Sequence, residues 1–206
     1  MKGYHNRNLT DIALDFVRAH HLQIAFSWTD FHLHEFRIRS KSYGIGRMGC
    51  MSFEDNPRQV TLADLGFRVR ERFVYEYDFG DRWEHEIRVE KHLPLDKKKT
   101  YPICIGGARL GPPEDCGGPW AYMALKQHYS IWYMTEKLLD ILQTDDPEIL
   151  EDYREEFVEF KYWFNTERFS RRELNRRFFQ YATDDDEWQW SLGEMLIYES
   201  ENTSHC

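Results

Sequence analysis

Two short segments of this chain concentrate side chains that can bind ligands or metals. The first, Tyr-Asp-Phe-Gly-Asp-Arg-Trp-Glu-His-Glu-Ile, covers residues 77–87, and the second, Gly-Pro-Pro-Glu-Asp-Cys-Gly-Gly-Pro-Trp, covers residues 111–120. Each combines carboxylates with an imidazole or a thiol, and such groups are costly to bury unless they meet one another or a ligand. The two segments together therefore define a candidate site.

The aromatic and acidic side chains of these segments suit an unknown small molecule with a cationic group, or a basic protein partner. Aromatic rings attract cations through their faces, and the carboxylates supply the opposite charge. We therefore predict a binding or accessory module without catalysis. Its predicted ligand-binding residues are Tyr77, Asp78, Asp81, Trp83, His85, Glu114, Asp115 and Trp120.

A second hypothesis for the same segments is a divalent metal centre. Carboxylates with one imidazole suit manganese, iron or zinc, and Cys116 would favour zinc. His32 and His34 are expected on one face of a strand and are further candidates. A bound metal would activate water, so a metal-dependent hydrolase is the enzymatic alternative. The predicted metal ligands are Asp81, His85, Asp115 and Cys116.

Each part of the candidate site also has a purely structural interpretation. Asp78 and Asp81 flank a tight turn, where aspartate side chains accept hydrogen bonds from their own backbone. His85 on an aromatic face is typical of a core histidine. Glu114 and Asp115 precede a predicted helix, whose N-terminus they would stabilise.

The charge of the chain disfavours a general nucleic-acid-binding surface. The formal net charge of the 206 residues is −9, and this would repel a phosphate backbone. An arginine-rich stretch is the local exception, so nucleic-acid binding stays a further hypothesis. Its predicted contacts are Arg171, Arg172 and Arg176.

The sequence also bears on where the protein is located. No apolar run approaches the ~20 residues that cross a membrane, and no basic and apolar leader opens the chain. We expect a cytoplasmic protein without a membrane association, and its four cysteines are then expected to be reduced.

The clearest secondary-structure signal is a β-hairpin at residues 67–90. Apolar and aromatic residues alternate on both sides of Gly80, as expected for two paired strands. If the apolar sets share one face, Tyr77 lies opposite Trp83 and Tyr75 opposite His85. The other face, which carries Glu76 and Glu84, is then predicted to be solvated.

Helices are predicted on both sides of this hairpin. Residues 9–26 show helical spacing of apolar residues, and helices are expected from 118 to about 142, from 146 to about 163 and from 170 to about 182, the last capped by Ser170. The resulting fold class is α+β: a mostly antiparallel sheet packed by an N-terminal helix and a C-terminal helical region. We expect an α+β core at 1–142, a helical continuation at 143–183 and an acidic tail at 184–206.

The two dense segments make the chain resemble the plasmid pRiA4b ORF-3-like family. The resemblance extends to Trp28-Thr29-Asp30 with His32-Leu33-His34-Glu35-Phe36, and to Arg171-Arg172-Glu173-Leu174-Asn175. It implies a protein associated with plasmids and mobile elements. Family members generally begin with a strand before the first helix, and its absence here would leave a sheet edge open for pairing.

Overall fold

The structure is a computed structural model that describes residues 21–46, 53–94, 96–144 and 147–183. Within these ranges the chain forms four strands and six helices. Their order is α1 (Gln23–Phe26), β1 (His34–Ile38), β2 (Lys41–Gly44), α2 (Leu62–Leu65), β3 (Arg72–Tyr77), β4 (Trp83–Arg88), α3 (Gly118–His128), α4 (Ile131–Gln143), α5 (Pro147–Asn165) and α6 (Arg171–Ala182).

Helix α1 is the described end of the predicted N-terminal helix. Residues 9–20 of that prediction and the predicted tail at 184–206 lie outside the described residues. The division into a core, a helical continuation and a tail therefore stays a prediction, whereas the α+β class is confirmed.

The strands form one antiparallel sheet in the order β2-β1-β3-β4. The predicted hairpin is β3 and β4, with Tyr75 opposite His85 and Tyr77 opposite Trp83. The predicted register is confirmed. A slip of one residue would turn one apolar set to the other face, and the short turn at 78–82 selects this pairing among those that remain.

One face of the sheet carries the main hydrophobic core. Phe36, Tyr75 and Tyr77 are almost completely buried there, and Trp28 and Leu65 pack on them. These large side chains occupy alternate positions of β1 and β3, so the two central strands present a continuous aromatic surface.

The opposite face is solvated along β4, as predicted, but it differs from the prediction at Glu76 of the central strand β3. Glu76 is only 6% exposed and forms an ion pair with Arg37, which also contacts Glu35 and Glu84. A carboxylate can be buried in this way because the guanidinium neutralises it and satisfies its hydrogen bonds.

The helices following the hairpin form two smaller clusters. Met134, Phe160 and Trp163 pack between α4 and α5, whereas Ile24 packs with Leu174 and Phe178 and so joins α1 to α6. The helical run predicted from 118 to 142 is two helices, because Ser130 caps α4 by accepting a hydrogen bond from Tyr133 N at 3.3 Å. None of the helices in the described ranges has the length and apolar character that crossing a membrane requires.

Candidate functional site

The loop at residues 111–117 is fastened to the hairpin and to the turn that follows α1. Trp28 Nε1 donates a hydrogen bond to the carbonyl oxygen of Pro112 at 2.9 Å, and Tyr162 OH donates one to Gly111 O at 2.8 Å. Gly117 N donates to Asp81 Oδ2 at 3.0 Å. The two dense segments of the sequence thus meet in space.

Glu114 is the central anchor of this loop. Its Oε2 accepts hydrogen bonds from Thr29 N at 2.8 Å and from Thr29 Oγ1 at 2.7 Å, and its Oε1 accepts one from Tyr77 OH. Burial and the adjacent Glu114 carboxylate raise the pKa of Tyr77, so the phenol remains a donor. Both carboxylate oxygens of Glu114 are therefore used to position the loop.

Three potential metal ligands come together beside this anchor. His32 Nε2 lies 2.7 Å from Asp115 Oδ1, and His32 Nδ1 lies 3.8 Å from Asp78 Oδ2. One ligand atom from each of the three residues lies within 4.8 Å of the other two. We call this set the His32 cluster. It joins the residue two positions before β1, the residue after β3 and the 111–117 loop.

The hairpin turn orients the Asp78 carboxylate. Asp78 Oδ1 accepts hydrogen bonds from Gly80 N at 2.9 Å and from Asp81 N at 3.3 Å, so this oxygen holds the turn together. The second oxygen, Oδ2, is the one nearest to His32. The turn function predicted for Asp78 and a ligand function therefore use different oxygens of one carboxylate.

Two residues of the His32 cluster have left-handed backbones. Asp78 has φ 57° and Asp115 has φ 59°, a region that aspartate and asparagine enter more readily than most other residues. The two carboxylates differ in exposure, with the Asp78 side chain 12% exposed and the Asp115 side chain 71% exposed. The cluster therefore rests on the sheet at Asp78 and is open to solvent at Asp115.

The ligand set predicted from sequence overlaps this cluster in one residue, Asp115. Asp81 binds the Gly117 backbone, as described above. Cys116 is half-buried, and burial together with the negative charge of Asp81 raises the pKa of its thiol. A raised pKa disfavours the thiolate, which is the form that binds metals.

His85 lies in the aromatic core. Its ring is 4.4 Å from that of Phe26 and 5.4 Å from that of Trp28, centre to centre. Burial lowers the pKa of His85 to about 4, so the ring is neutral at pH 7. Within the described residues, the buried Nε2 atom has no hydrogen-bond partner. The structure thus places His85 where a core histidine is expected.

The predicted aromatic ligand-binding residues are divided between core and surface. Tyr77 is 1% exposed and stacks on Trp28 with ring centres 4.8 Å apart, whereas Trp120 is 89% exposed. Trp83 packs against the main core and contacts Tyr122 edge to face. Tyr77 therefore belongs to the aromatic core and Trp83 packs against that core, so Trp120 is the one of these three side chains that is largely exposed to solvent.

The predicted nucleic-acid contacts lie on α6. Arg176 is held by Glu173 at 3.1 and 2.5 Å and donates to Gln180 at 2.9 Å. Arg171 and Arg172 are exposed in the first turn of the helix. The three arginines lie on one helix, as predicted, with Arg176 already engaged by its own helix.

The sequence places Asp78 in a wider pool of possible metal ligands but not in the predicted set of four, and it makes His32 only a further candidate. A signal that points to His32 is the Trp28-Thr29-Asp30 turn, which ends two residues before it. In the structure this turn holds the 111–117 loop through Thr29 and Trp28, and so brings Asp115 to His32.

The profile of the plasmid pRiA4b ORF-3-like protein family matches residues 11–173. The chain belongs to the plasmid pRiA4b ORF-3-like family. The matched range includes both dense segments and all three residues of the His32 cluster, so the resemblance noted in the sequence is confirmed.

The chain is similar to two further proteins. It is 38% identical over 105 residues to the uncharacterized protein y4hQ of Sinorhizobium fredii strain NGR234, across 49% of this chain and 52% of y4hQ. The matched stretch thus spans about half the length of that relative. It is also similar to the crystal structure of the protein of unknown function MM3350 from Methanosarcina mazei Go1. That match has 32% identity and a TM-score of 0.50, and covers 67% of this chain and 79% of the other.

Proposed function

We propose that this plasmid pRiA4b ORF-3-like protein is a divalent-metal-binding module whose ligands are His32, Asp78 and Asp115. The observation that carries the proposal is the convergence of one imidazole and two carboxylates, with ligand atoms within 4.8 Å, from three separate segments. Each segment is fixed by hydrogen bonds that do not use the proposed ligand atoms of Asp78 and Asp115.

The donor set indicates which metals would bind. One imidazole and two carboxylates suit manganese, iron or zinc, and a set without a thiolate removes the preference for zinc that Cys116 would introduce. Three protein ligands leave coordination positions for water or an external ligand. The 71% exposure of the Asp115 side chain supports access to those positions from solvent.

This proposal takes up the metal centre, the second hypothesis drawn from the sequence, with a different ligand set, in place of the module for a cationic molecule or a basic partner. A metal with an open position lowers the pKa of bound water, and the hydrolase alternative depends on that chemistry. Association with mobile elements, a cytoplasmic location and nucleic-acid binding through Arg171, Arg172 and Arg176 stay predictions.

The competing interpretation of the cluster is an ion pair between a protonated His32 and its two carboxylates. Titration of metal-free, tag-free protein with Mn²⁺, Co²⁺ and Zn²⁺ by calorimetry separates the two. The proposal predicts one equivalent of bound metal, and a visible spectrum of the Co²⁺ form that differs from that of aqueous Co²⁺. Protein that binds none of the three ions would contradict it.

Single-residue variants test which side chains bind the metal. Asp115→Asn should lower metal affinity at least tenfold while preserving the fold, because asparagine also adopts a left-handed backbone. The matched control is Asp55→Asn, an exposed aspartate paired with Lys41 at 3.4 Å, which should leave affinity unchanged. Equal losses in the two variants would contradict the proposed site.

A further variant distinguishes the two ligand sets. Cys116→Ser should retain the metal if the His32 cluster binds it, and lose the metal if the set Asp81, His85, Asp115 and Cys116 does. His32→Gln should give the opposite result. His92→Gln, which alters an exposed histidine that contacts Phe67 O, is the control for removing an imidazole.

A further inference from the structure

A second candidate site lies at the other end of the sheet from the His32 cluster. Because β1 and β3 are antiparallel, the residues after β1 and before β3 are neighbours, while His32 and Asp78 lie at the opposite ends of the same strands. At this second end an open cavity of about 750 Å³ is lined by Arg39, Arg68, Arg70, Glu71, Leu65 and Val69. Its volume falls within the range of small-molecule sites.

The charge of this cavity is opposite to that of the chain. Three arginines and one glutamate line it, in a protein whose formal net charge is −9. Glu71 Oε1 accepts a hydrogen bond from Arg39 Nε at 2.8 Å, and Glu71 Oε2 accepts one from Arg68 N at 2.7 Å. Both oxygens of the glutamate are therefore engaged by the cavity wall, and two positive charges remain unneutralised by it.

Arg39 is held in place as part of the wall. Besides its bond to Glu71, its Nη2 donates to the carbonyl oxygen of Leu65 at 2.9 Å. The adjacent Glu71 carboxylate raises the pKa of Arg39, so its charge is permanent. Arg39 thus links the β1–β2 turn to the end of α2 and gives the cavity a fixed cation.

Arg68 and Arg70 have guanidinium groups available for a ligand. Both side chains are exposed, and neither guanidinium forms an ion pair or a hydrogen bond with another residue of the described ranges. Their backbone is fixed, because Glu71 N donates to Arg68 O at 3.0 Å and Arg70 N donates to Val89 O at 2.6 Å. Arg70 has φ 73°, which an arginine rarely adopts.

We propose that this cavity binds a small organic molecule bearing a phosphate monoester. Guanidinium groups bind phosphate oxygens with paired hydrogen bonds. A monoester carries a charge of about −1.5 to −2 at neutral pH, which matches the two charges that Glu71 leaves unneutralised. The half-exposed Val69 provides an apolar surface for the organic part.

The test is a titration of metal-free protein with phenyl phosphate, inorganic phosphate and a 12-nucleotide single-stranded DNA. Binding is followed by NMR through the Nε–H signals of the arginines. The proposal predicts saturable shifts of the Arg68 and Arg70 signals with phenyl phosphate. It also predicts weaker binding of inorganic phosphate, which has no apolar part to pack on Val69. Metal-free protein separates this result from binding of phosphate to a metal at the His32 cluster.

A pair of double variants provides the control. Arg68→Gln with Arg70→Gln should weaken phenyl phosphate binding at least tenfold, whereas Lys97→Gln with Lys98→Gln removes the same charge from an exposed loop and should leave affinity unchanged. Shifts that do not saturate, or equal losses in the two double variants, would overturn the proposal. Tighter binding of the DNA than of phenyl phosphate, lost in the Arg68 and Arg70 variant, would overturn it in favour of a nucleic-acid contact.

Discussion

The Cβ atom that Gly118 lacks would overlap the carbonyl oxygen of Asp81. Gly118 begins α3 and Asp81 lies in the hairpin turn, so the start of this helix is packed directly against the turn. Gly117 N donates to the side chain of the same Asp81 at 3.0 Å. The 111–118 segment and the hairpin therefore form one structural unit, and the His32 cluster lies on it.

Gly118→Ala is expected to destabilise the protein strongly. The residue has φ 80°, where a side chain is strained, and the added methyl group meets backbone that cannot move independently. We expect a loss of about 2–4 kcal/mol in the free energy of unfolding, measured by urea denaturation. Gly106→Ala is the control, because a Cβ at Gly106 meets no atom within 4 Å. Similar losses in both variants would show that the Asp81 contact does not limit stability.

Glu114→Ala should loosen the 111–117 loop. It leaves Tyr77 OH and two donors of Thr29 without their acceptor, at a cost of roughly 2 kcal/mol in unfolding free energy. Tyr77→Phe removes one of these bonds and also the longer bond that Tyr77 OH accepts from His32 N at 3.3 Å, so it should cost about 1–2 kcal/mol. Urea denaturation of both single variants and the double variant measures the coupling. Strict additivity of the two single effects would contradict a direct Tyr77–Glu114 interaction.

Stability should fall at acidic pH through His85. The pKa of His85 is about 4 in the folded protein and near 6.5 when exposed, so the unfolded chain takes up the proton first as pH falls. This contribution leaves stability unaffected above pH 6.5, and stability is then lost progressively down to about pH 4. At about 1.4 kcal/mol per unit of pKa shift, the total effect is roughly 3 kcal/mol.

The matched variants for this prediction are His85→Phe and His92→Gln. Phenylalanine keeps a ring beside Phe26 and Trp28 but cannot take up a proton. Between pH 7.5 and pH 4.5, His85→Phe should lose roughly 2 kcal/mol less stability than the unchanged protein. His92→Gln should lose as much as the unchanged protein. An unaltered pH dependence in His85→Phe would contradict a buried neutral histidine.

Much of the local structure follows from the sequence alone. Alternation of apolar residues predicts the β3–β4 hairpin with Tyr75 opposite His85, because a shift of one residue would expose the whole apolar face. Ser170 is predicted as the cap of α6, and it accepts a hydrogen bond from Glu173 N at 3.1 Å. These features depend on residues close in sequence, and local patterns specify them.

The tertiary structure decides the composition of the sites. His32, Asp78 and Asp115 meet only because β1 pairs with β3 and because Glu114 fastens the loop to Thr29. The arginine-lined cavity likewise depends on that pairing, which brings Arg39 to residues 68–71. The burial of Glu76 under Arg37 has the same origin, since the two residues lie on neighbouring strands.

The sequence by itself therefore determined the α+β class, the hairpin register, the Ser170 cap of α6 and the family. It also singled out residues 77–87 and 111–120, which meet in the structure, but not His32, which lies outside both segments. Only the tertiary structure decided which of their carboxylates face an imidazole and which hold the backbone. The physical reason is that side chains from distant segments meet only through strand order and loop anchoring. The hydrophobic periodicity of a sequence reports local structure and specifies neither of these.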